Sequence, residues 1–130
     1  MKSNTKILLI VIFLFAISIL IYQCLTASKK RKTLLERGKV VTGKIFEIND
    51  QGSKYKKSIC YTFQVEKRIF TNCEQYTLSG ILEGNLIGIY APVIYDSTNP
   101  GLNKILLYKG DFQSYKLNYP DSLKWIEYLR

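Results

Sequence analysis

The chain has 130 residues and a formal net charge of +9, from 19 Lys and Arg against 10 Asp and Glu, with no His and three Cys. That length holds one domain. The lack of His removes Ser-His-Asp triads, Cys-His pairs and His-ligated zinc, and three Cys cannot build a four-thiolate site or a disulfide-dense scaffold. The basic balance points to an anionic partner, either nucleic acid or lipid headgroups.

Residues 7–22 read ILLIVIFLFAISILIY, and no charge stands between Lys6 and Lys29. At about 1.5 Å per residue a helix over residues 7–27 spans roughly 30 Å, the thickness of a hydrocarbon core. Only a helix satisfies its own backbone in lipid, so residues 1–28 are read as a short tail and a single transmembrane helix. The rival is a cleaved signal peptide, but Leu25 and Ala27 make a poor small-x-small cleavage site. Tyr22 and Gln23 before Cys24 do not fit a lipoprotein signal.

Residues 29–38 form a basic juxtamembrane segment. Lys29, Lys30, Arg31 and Lys32 are read as a membrane-surface cluster, each worth on the order of 1 kcal/mol near an anionic leaflet. The chain is therefore placed at the cell (inner) membrane as a single-pass protein. The basic flank after the helix outweighs Lys2 and Lys6 before it, which favours a cytoplasmic domain. A short basic tail kept inside, as in signal anchors, gives the opposite, periplasmic or extracytoplasmic, placement. Residues 29–57 hold ten bases against three acids, whereas residues 58–130 hold seven of each. A phosphate-binding groove needs bases spread over the folded domain, and Tyr55 between Lys54 and Lys56 is the sole aromatic-basic interleaving. Membrane lipid, not nucleic acid, is thus the expected anionic partner.

Residues 39–130 read as a small β domain. Thr33 to Arg37 suits a short extension of the helix, stopped at Gly38. Lys39 to Ile48 alternates as a strand, with Val40, Thr42, Lys44, Phe46 and Ile48 on one face and Val41, Gly43, Ile45 and Glu47 on the other. Gly43 in mid-strand marks a bend, a bulge or close packing. Ser58–Val65 and Arg68–Tyr76 make a hairpin around Glu66-Lys67, whose register opposes Phe63 to Phe70, Thr62 to Thr71 and Cys60 to Cys73. The cysteine pair falls at a non-hydrogen-bonded position, where Cα atoms lie about 4.5 Å apart and a disulfide can form. Two readings stay open: a cross-strand disulfide in an oxidising compartment, or facing free thiols in a reducing one. Gly80, Gly84 and Gly88 are read as strand-turn glycines. Tyr90–Asp96 is the next strand, Ser97 to Gly101 a turn and Lys104–Tyr108 a further strand. Asp121-Ser122 caps a final helix with Leu123, Trp125, Ile126 and Leu129 on its apolar side. The expected architecture is mainly β: an N-terminal transmembrane helix, then an antiparallel β-barrel or sandwich-like domain of about five or six strands, then a short C-terminal helix.

Three segments carry a family resemblance: Arg37-Gly38-Lys39-Val40-Val41-Thr42-Gly43-Lys44-Ile45, Tyr61-Thr62-Phe63-Gln64-Val65 with its hairpin to Phe70, and Val93-Ile94-Tyr95-Asp96-Ser97-Thr98-Asn99-Pro100. Together with the apolar N-terminal helix they resemble the bacterial membrane-anchored small β-domains grouped as domain of unknown function 3592. The resemblance covers residues 7–107. Ser97 stands where that family usually has Pro, Lys67 where a turn Gly is common, and the tail after Tyr108 is additional. It implies an architecture and brings no activity with it.

Tyr95, Asp96, Asn99 and Pro100 are read as a structural turn, because a lone carboxylate without a partner base makes no catalytic site. No nucleophile elbow, phosphate loop or metal-ligand spacing occurs, so neither an enzyme nor a cofactor is expected. The expected function is a non-enzymatic, membrane-anchored protein-interaction or scaffolding module with a protein partner. An immunity-type protein that neutralises a toxin at the membrane is the alternative.

Overall fold

The computed structural model describes residues 2–52 and 54–130. The chain divides into two compact units, one up to Lys32 and one from Thr33 to Arg130. Helix α1 runs Lys2–Arg37, so its last residues, 33–37, belong to the second unit, which begins earlier than the alternation of the β region implies. The apolar part of α1 reaches a mean hydropathy of 2.8 and is long and apolar enough to cross a membrane. Its hydroxyls are satisfied inside the helix: Ser18 Oγ donates to Leu14 O (2.9 Å) and Thr26 Oγ1 to Tyr22 O (2.8 Å). Such back-bonding to the preceding turn lowers the cost of a hydroxyl in lipid.

The second unit contains strands β1 (Gly38–Asp50), β2 (Lys56–Val65) and β3 (Arg68–Thr77), helix α2 (Gly80–Leu86), and strands β4 (Tyr90–Asp96) and β5 (Asn99–Ile105). Helix α3 (Lys109–Ser114), a 3-10 turn (Asp121–Leu123) and helix α4 (Lys124–Leu129) follow. The five strands form one antiparallel sheet in the order β3-β2-β1-β4-β5, curled into a nearly closed barrel. Ile45, Ile59, Tyr61, Val93 and Ile105 point inward and are fully buried. Phe63 stacks on Phe70 (5.5 Å between centroids) and Tyr95 (6.1 Å).

β3 and β5 are the sheet's two edges, and side chains bridge them. Asn72 Nδ2 donates to Asn103 Oδ1 (3.0 Å), which also accepts from the Tyr61 hydroxyl (2.6 Å). The Tyr76 hydroxyl shares its proton between Ile105 O (2.7 Å) and Asp111 Oδ2 (2.8 Å). α2 and the C-terminal helices cover one end of the barrel through Leu78 N to Tyr55 O (2.8 Å), Ser79 Oγ to Leu129 O (2.7 Å) and Tyr108 hydroxyl to Thr77 O (2.6 Å).

The β2–β3 register matches the sequence expectation at every opposed pair, including Phe63–Phe70, Thr62–Thr71 and Cys60–Cys73. Glu66 enters the left-handed region (φ 56°) so that the chain can reverse in two residues. Elsewhere the structure corrects the sequence reading. A bulge between Ile45 and Glu47 inserts Phe46 as an extra residue. Ile48 therefore joins Val41, Gly43 and Ile45 on the inner side, and Phe46 and Glu47 both face out. Gly38 does not adopt the left-handed cap conformation; a Cβ there would strike Leu34 O and Ile94 Cδ1. At Gly43 a Cβ would lie 2.5 Å from Val93 Cγ2, so its role is close packing between β1 and β4.

The glycines of residues 80–88 are not strand turns. Ser79 caps α2 by accepting from Leu82 N (3.2 Å), and Leu82 and Leu86, one helical turn apart, are buried. That burial offsets the cost of about 1 kcal/mol per exposed Gly in a helix. The turn after β4 is shorter than its Pro-Gly sequence implies. It uses Ser97 and Thr98 alone, so Asn99, Pro100 and Gly101 start β5, whose edge position tolerates Pro100. The expected strand over Lys104–Tyr108 ends at Ile105, and α3 was not foreseen. The final helix begins as a 3-10 turn at Asp121, with Leu123 and Ile126 buried and Trp125 and Leu129 packed against the core.

A paired substitution checks the helical reading of residues 80–88. Gly84 has open space around it, so Gly84→Ala is expected to raise stability by about 0.5–1 kcal/mol. Gly88 has a φ of +87°, so Gly88→Ala is expected to lower it by about 1 kcal/mol. Chemical unfolding of the full chain in detergent measures both; a loss at Gly84→Ala together with a gain at Gly88→Ala would rule out this helix and its left-handed glycine.

Candidate functional site

The outer face of the barrel carries a shallow groove of about 310 Å³ across β1, β2, β3 and β4. Strand alternation places Thr42 and Lys44 outward on β1, Thr62 and Gln64 on β2, and Ile69 and Tyr90 beside them. Ile69 is 74% exposed and Tyr90 62%, a large apolar area to leave in water. Lys44 Nζ sits 5.5 Å from the Tyr90 ring centroid. Thr62 Oγ1 donates to Phe70 O (3.2 Å) and Gln64 Nε2 to Glu66 O (2.9 Å), so the polar walls are held in fixed rotamers. Exposed Phe46, turned out by the bulge, and exposed Val40 belong to the same strand. The sequence signal for this surface was the apolar content of the strand face opposite the core.

The disulfide lies on the same outer face. Cys60 and Cys73 are bonded across β2 and β3 with Cα atoms 4.0 Å apart, as the non-hydrogen-bonded register requires. Cys24, on α1, is a free, exposed thiol.

The four turn residues are brought close together, around a carboxylate that is fully engaged. Asp96 is 2% exposed. It accepts from Thr98 N (2.9 Å) and Thr98 Oγ1 (2.8 Å), and pairs with Arg37 (3.0 Å). The Thr98 amide, then the Thr98 hydroxyl and the Arg37 guanidinium, hold the Asp96 carboxyl below the usual carboxylate range against the opposing effect of burial. Tyr95 packs on Phe63, and Asn99 pairs with Asp96 across the β4–β5 turn. Pro100 O accepts from Asn103 Nδ2 (3.0 Å). Lys29, Lys30, Arg31 and Lys32 stand on α1 just after its apolar stretch, with Lys29, Arg31 and Lys32 exposed and Lys30 half-buried.

Sequence reasoning missed three polar constellations because their members are far apart in the chain. One is the Tyr61–Asn72–Asn103 trio. Another is Asp111, which receives the Leu107 and Tyr108 amides (3.1 and 3.0 Å) and the Tyr76 hydroxyl. The third is buried Lys57, which pairs with Asp50 and with Glu83 (3.4 Å) and ties α2 to the sheet. Among the described residues no buried side-chain nitrogen or oxygen lacks a partner, and no three His, Cys, Asp or Glu side chains cluster as metal ligands. A second depression, about 430 Å³, is lined by Lys109, Tyr119, Lys124, Glu127 and Tyr128. Two of its charged side chains are engaged: Glu127 takes the Lys109 backbone amide (2.8 Å), and Lys124 pairs with Asp121 (2.5 Å). Burial, with Glu127 and Asp111 nearby, pushes the Tyr119 hydroxyl up to about 12.

The Asp96 turn makes acid stability testable. Because its folded pKa is lowered, its contribution is complete above about pH 4 and is lost as pH falls through the folded value. Asp96→Asn is expected to reduce stability at neutral pH and to flatten the loss of stability on acidification. Unfolding curves at a series of pH values measure this, and an unchanged acid slope would remove Asp96 from that role. No protein-family model matches the chain, and neither the curated proteins nor the solved structures contain a match.

Proposed function

We propose that this chain is a single-pass, non-enzymatic protein of the cell membrane whose β domain binds a protein partner through the outer-face groove. The observation that carries this reading is the groove itself. Ile69 and Tyr90 lie largely exposed between polar side chains of fixed rotamer, an apolar centre with a polar rim. Lys44 at the groove favours an acidic or aromatic partner surface. The carboxylates best placed to act in chemistry, Asp96 and Asp111, are instead spent on backbone amides and a tyrosine hydroxyl. In this reading α1 spans the bilayer and Lys29, Lys30, Arg31 and Lys32 rest among anionic headgroups. The architecture also supports kinship with the membrane-anchored β-domains that residues 37–45 and 93–100 resemble.

The side of the membrane follows from two competing arguments. The charge flanking α1 favours a cytoplasmic domain. The Cys60–Cys73 bond favours an oxidising compartment, and the short basic tail with Lys2 and Lys6 suits an anchor whose N-terminus stays inside. We weigh the bond above the charge and place the β domain on the side away from the cytoplasm.

Two measurements test these readings. A photo-crosslinking residue placed at Ile69 or Tyr90 in cells is expected to capture the same discrete partner, whereas one at exposed Gln113 captures none; equal capture from all three sites would dismiss the groove. In intact cells of a Cys24→Ser strain, a membrane-impermeant maleimide is expected to label exposed Cys73 only after an impermeant reductant is added. Thiols that are already reduced and reachable only after lysis would place the domain in the cytoplasm.

A further inference from the structure

The two halves of the Cys60–Cys73 bond are not equivalent. Cys60 is 4% exposed, on β2 between β1 and β3, whereas Cys73 is exposed on β3, the edge strand. A thiolate attacking in line with the S–S bond can reach the exposed sulfur and not the buried one. Beside the buried sulfur, Asn49 Nδ2 lies 4.0 Å from Cys60 Sγ. An amide N–H there favours negative charge on Cys60 while the Glu47 carboxylate opposite disfavours it, so access selects the sulfur attacked and Asn49 eases departure of Cys60. The opposed position pairs Glu47 with Cys60 on the outer face, one row beyond Lys44 and Thr62, which line the groove.

We propose that Cys73 is a thiol–disulfide exchange site for a protein dithiol. The attacking thiolate of the dithiol forms a bond to Cys73 Sγ, the Cys60–Cys73 bond breaks, and its electron pair leaves on Cys60, which then takes a proton. The second thiol of the dithiol attacks its own sulfur in the mixed disulfide, and Cys73 leaves as thiolate. The dithiol is thereby oxidised to a disulfide and the chain gains two thiols, so electrons and protons balance. Reversal by an oxidised protein dithiol installs the bond through the same Cys73 adduct. Asymmetry of access makes the reaction regioselective in the folded state, with no need to open the hairpin. The bond sits beside the groove wall formed by β2 and β3, so its redox state acts on that wall directly.

The test uses the full chain with Cys24→Ser, purified in detergent without reductant, and a thioredoxin-type dithiol protein whose resolving Cys is replaced by Ser so that the mixed disulfide is trapped. Peptide mapping is expected to find the adduct on Cys73 and not on Cys60, at a rate unaffected by denaturant concentrations well below the unfolding transition. Asn49→Ala is expected to slow adduct formation roughly two- to ten-fold, the value of one hydrogen bond to the leaving sulfur. Asn49→Asp, which sets a carboxylate beside the same sulfur, is expected to slow it further. An adduct on Cys60, a rate that climbs with denaturant as local opening does, or a purified chain that lacks the bond would each overturn the proposal.

Discussion

The second unit depends on a joint that no backbone ladder makes. Five strands give four hydrogen-bonded pairings, and the edges β3 and β5 meet through side chains. Asn103 is the centre of that joint. Its carbonyl oxygen accepts from Asn72 and Tyr61, and its amide nitrogen donates to Pro100 O (3.0 Å) and Gly101 O (3.2 Å). A buried Asn with every polar atom engaged holds two edges in one register. A half-satisfied one would cost more than an apolar residue. Tyr76 repeats the device further along the seam and extends it to α3 through Asp111. Edge strands that would otherwise recruit other chains are closed in this way, and on the outer face apolar side chains such as Ile69 and Tyr90 remain exposed.

What was legible in the sequence is what local chemistry dictates. The uncharged stretch from Ile7 to Ser28 could only be a helix, and the β2–β3 register followed from a two-residue turn between two alternating runs. Asp96 was legible as a turn residue because Asp two positions before Thr98 bonds its amide. What was not legible depended on partners remote in the chain. Gly43 allowed a bend or bulge on this strand, but nothing local marks Phe46, three residues on, as its place. The bulge arises because Ile45 must bond Ile89 O (3.0 Å) and accept from Gly88 N (2.7 Å) at the end of α2, while Glu47 resumes pairing with Cys60. Glycines at spacing four looked like turns because the buried contacts of Leu82 and Leu86, which stabilise the helix despite them, are tertiary. The groove was half legible: the outward residues were predictable, but their convergence across four strands was not.

Charge shows the same division. The excess of bases lies in residues 29–57, and the structure distributes it among three roles. Lys29, Lys30, Arg31 and Lys32 stand at the end of the apolar helix. Arg37 and Lys57 are consumed in ion pairs with Asp96 and with Asp50 and Glu83, where they fix the helix end and α2. Lys44 is left on the groove beside an aromatic ring. A single net figure for the chain therefore conflates a surface property with internal fastening.

Strand order has a consequence for how the chain is made. β1 is the central strand and the first β segment to leave a ribosome or translocon. It can pair with β2 as soon as the hairpin region follows, but its other neighbour, β4, begins at Tyr90. Until residues 90–96 emerge, one side of β1 from Gly38 to Lys44 presents open amides and carbonyls, with Val41 and Ile45 uncovered. A long-range closure of this kind is slow relative to a local hairpin. The interval between synthesis of β1 and of β4 is thus when the nascent chain is most open to capture by a chaperone or by another β edge.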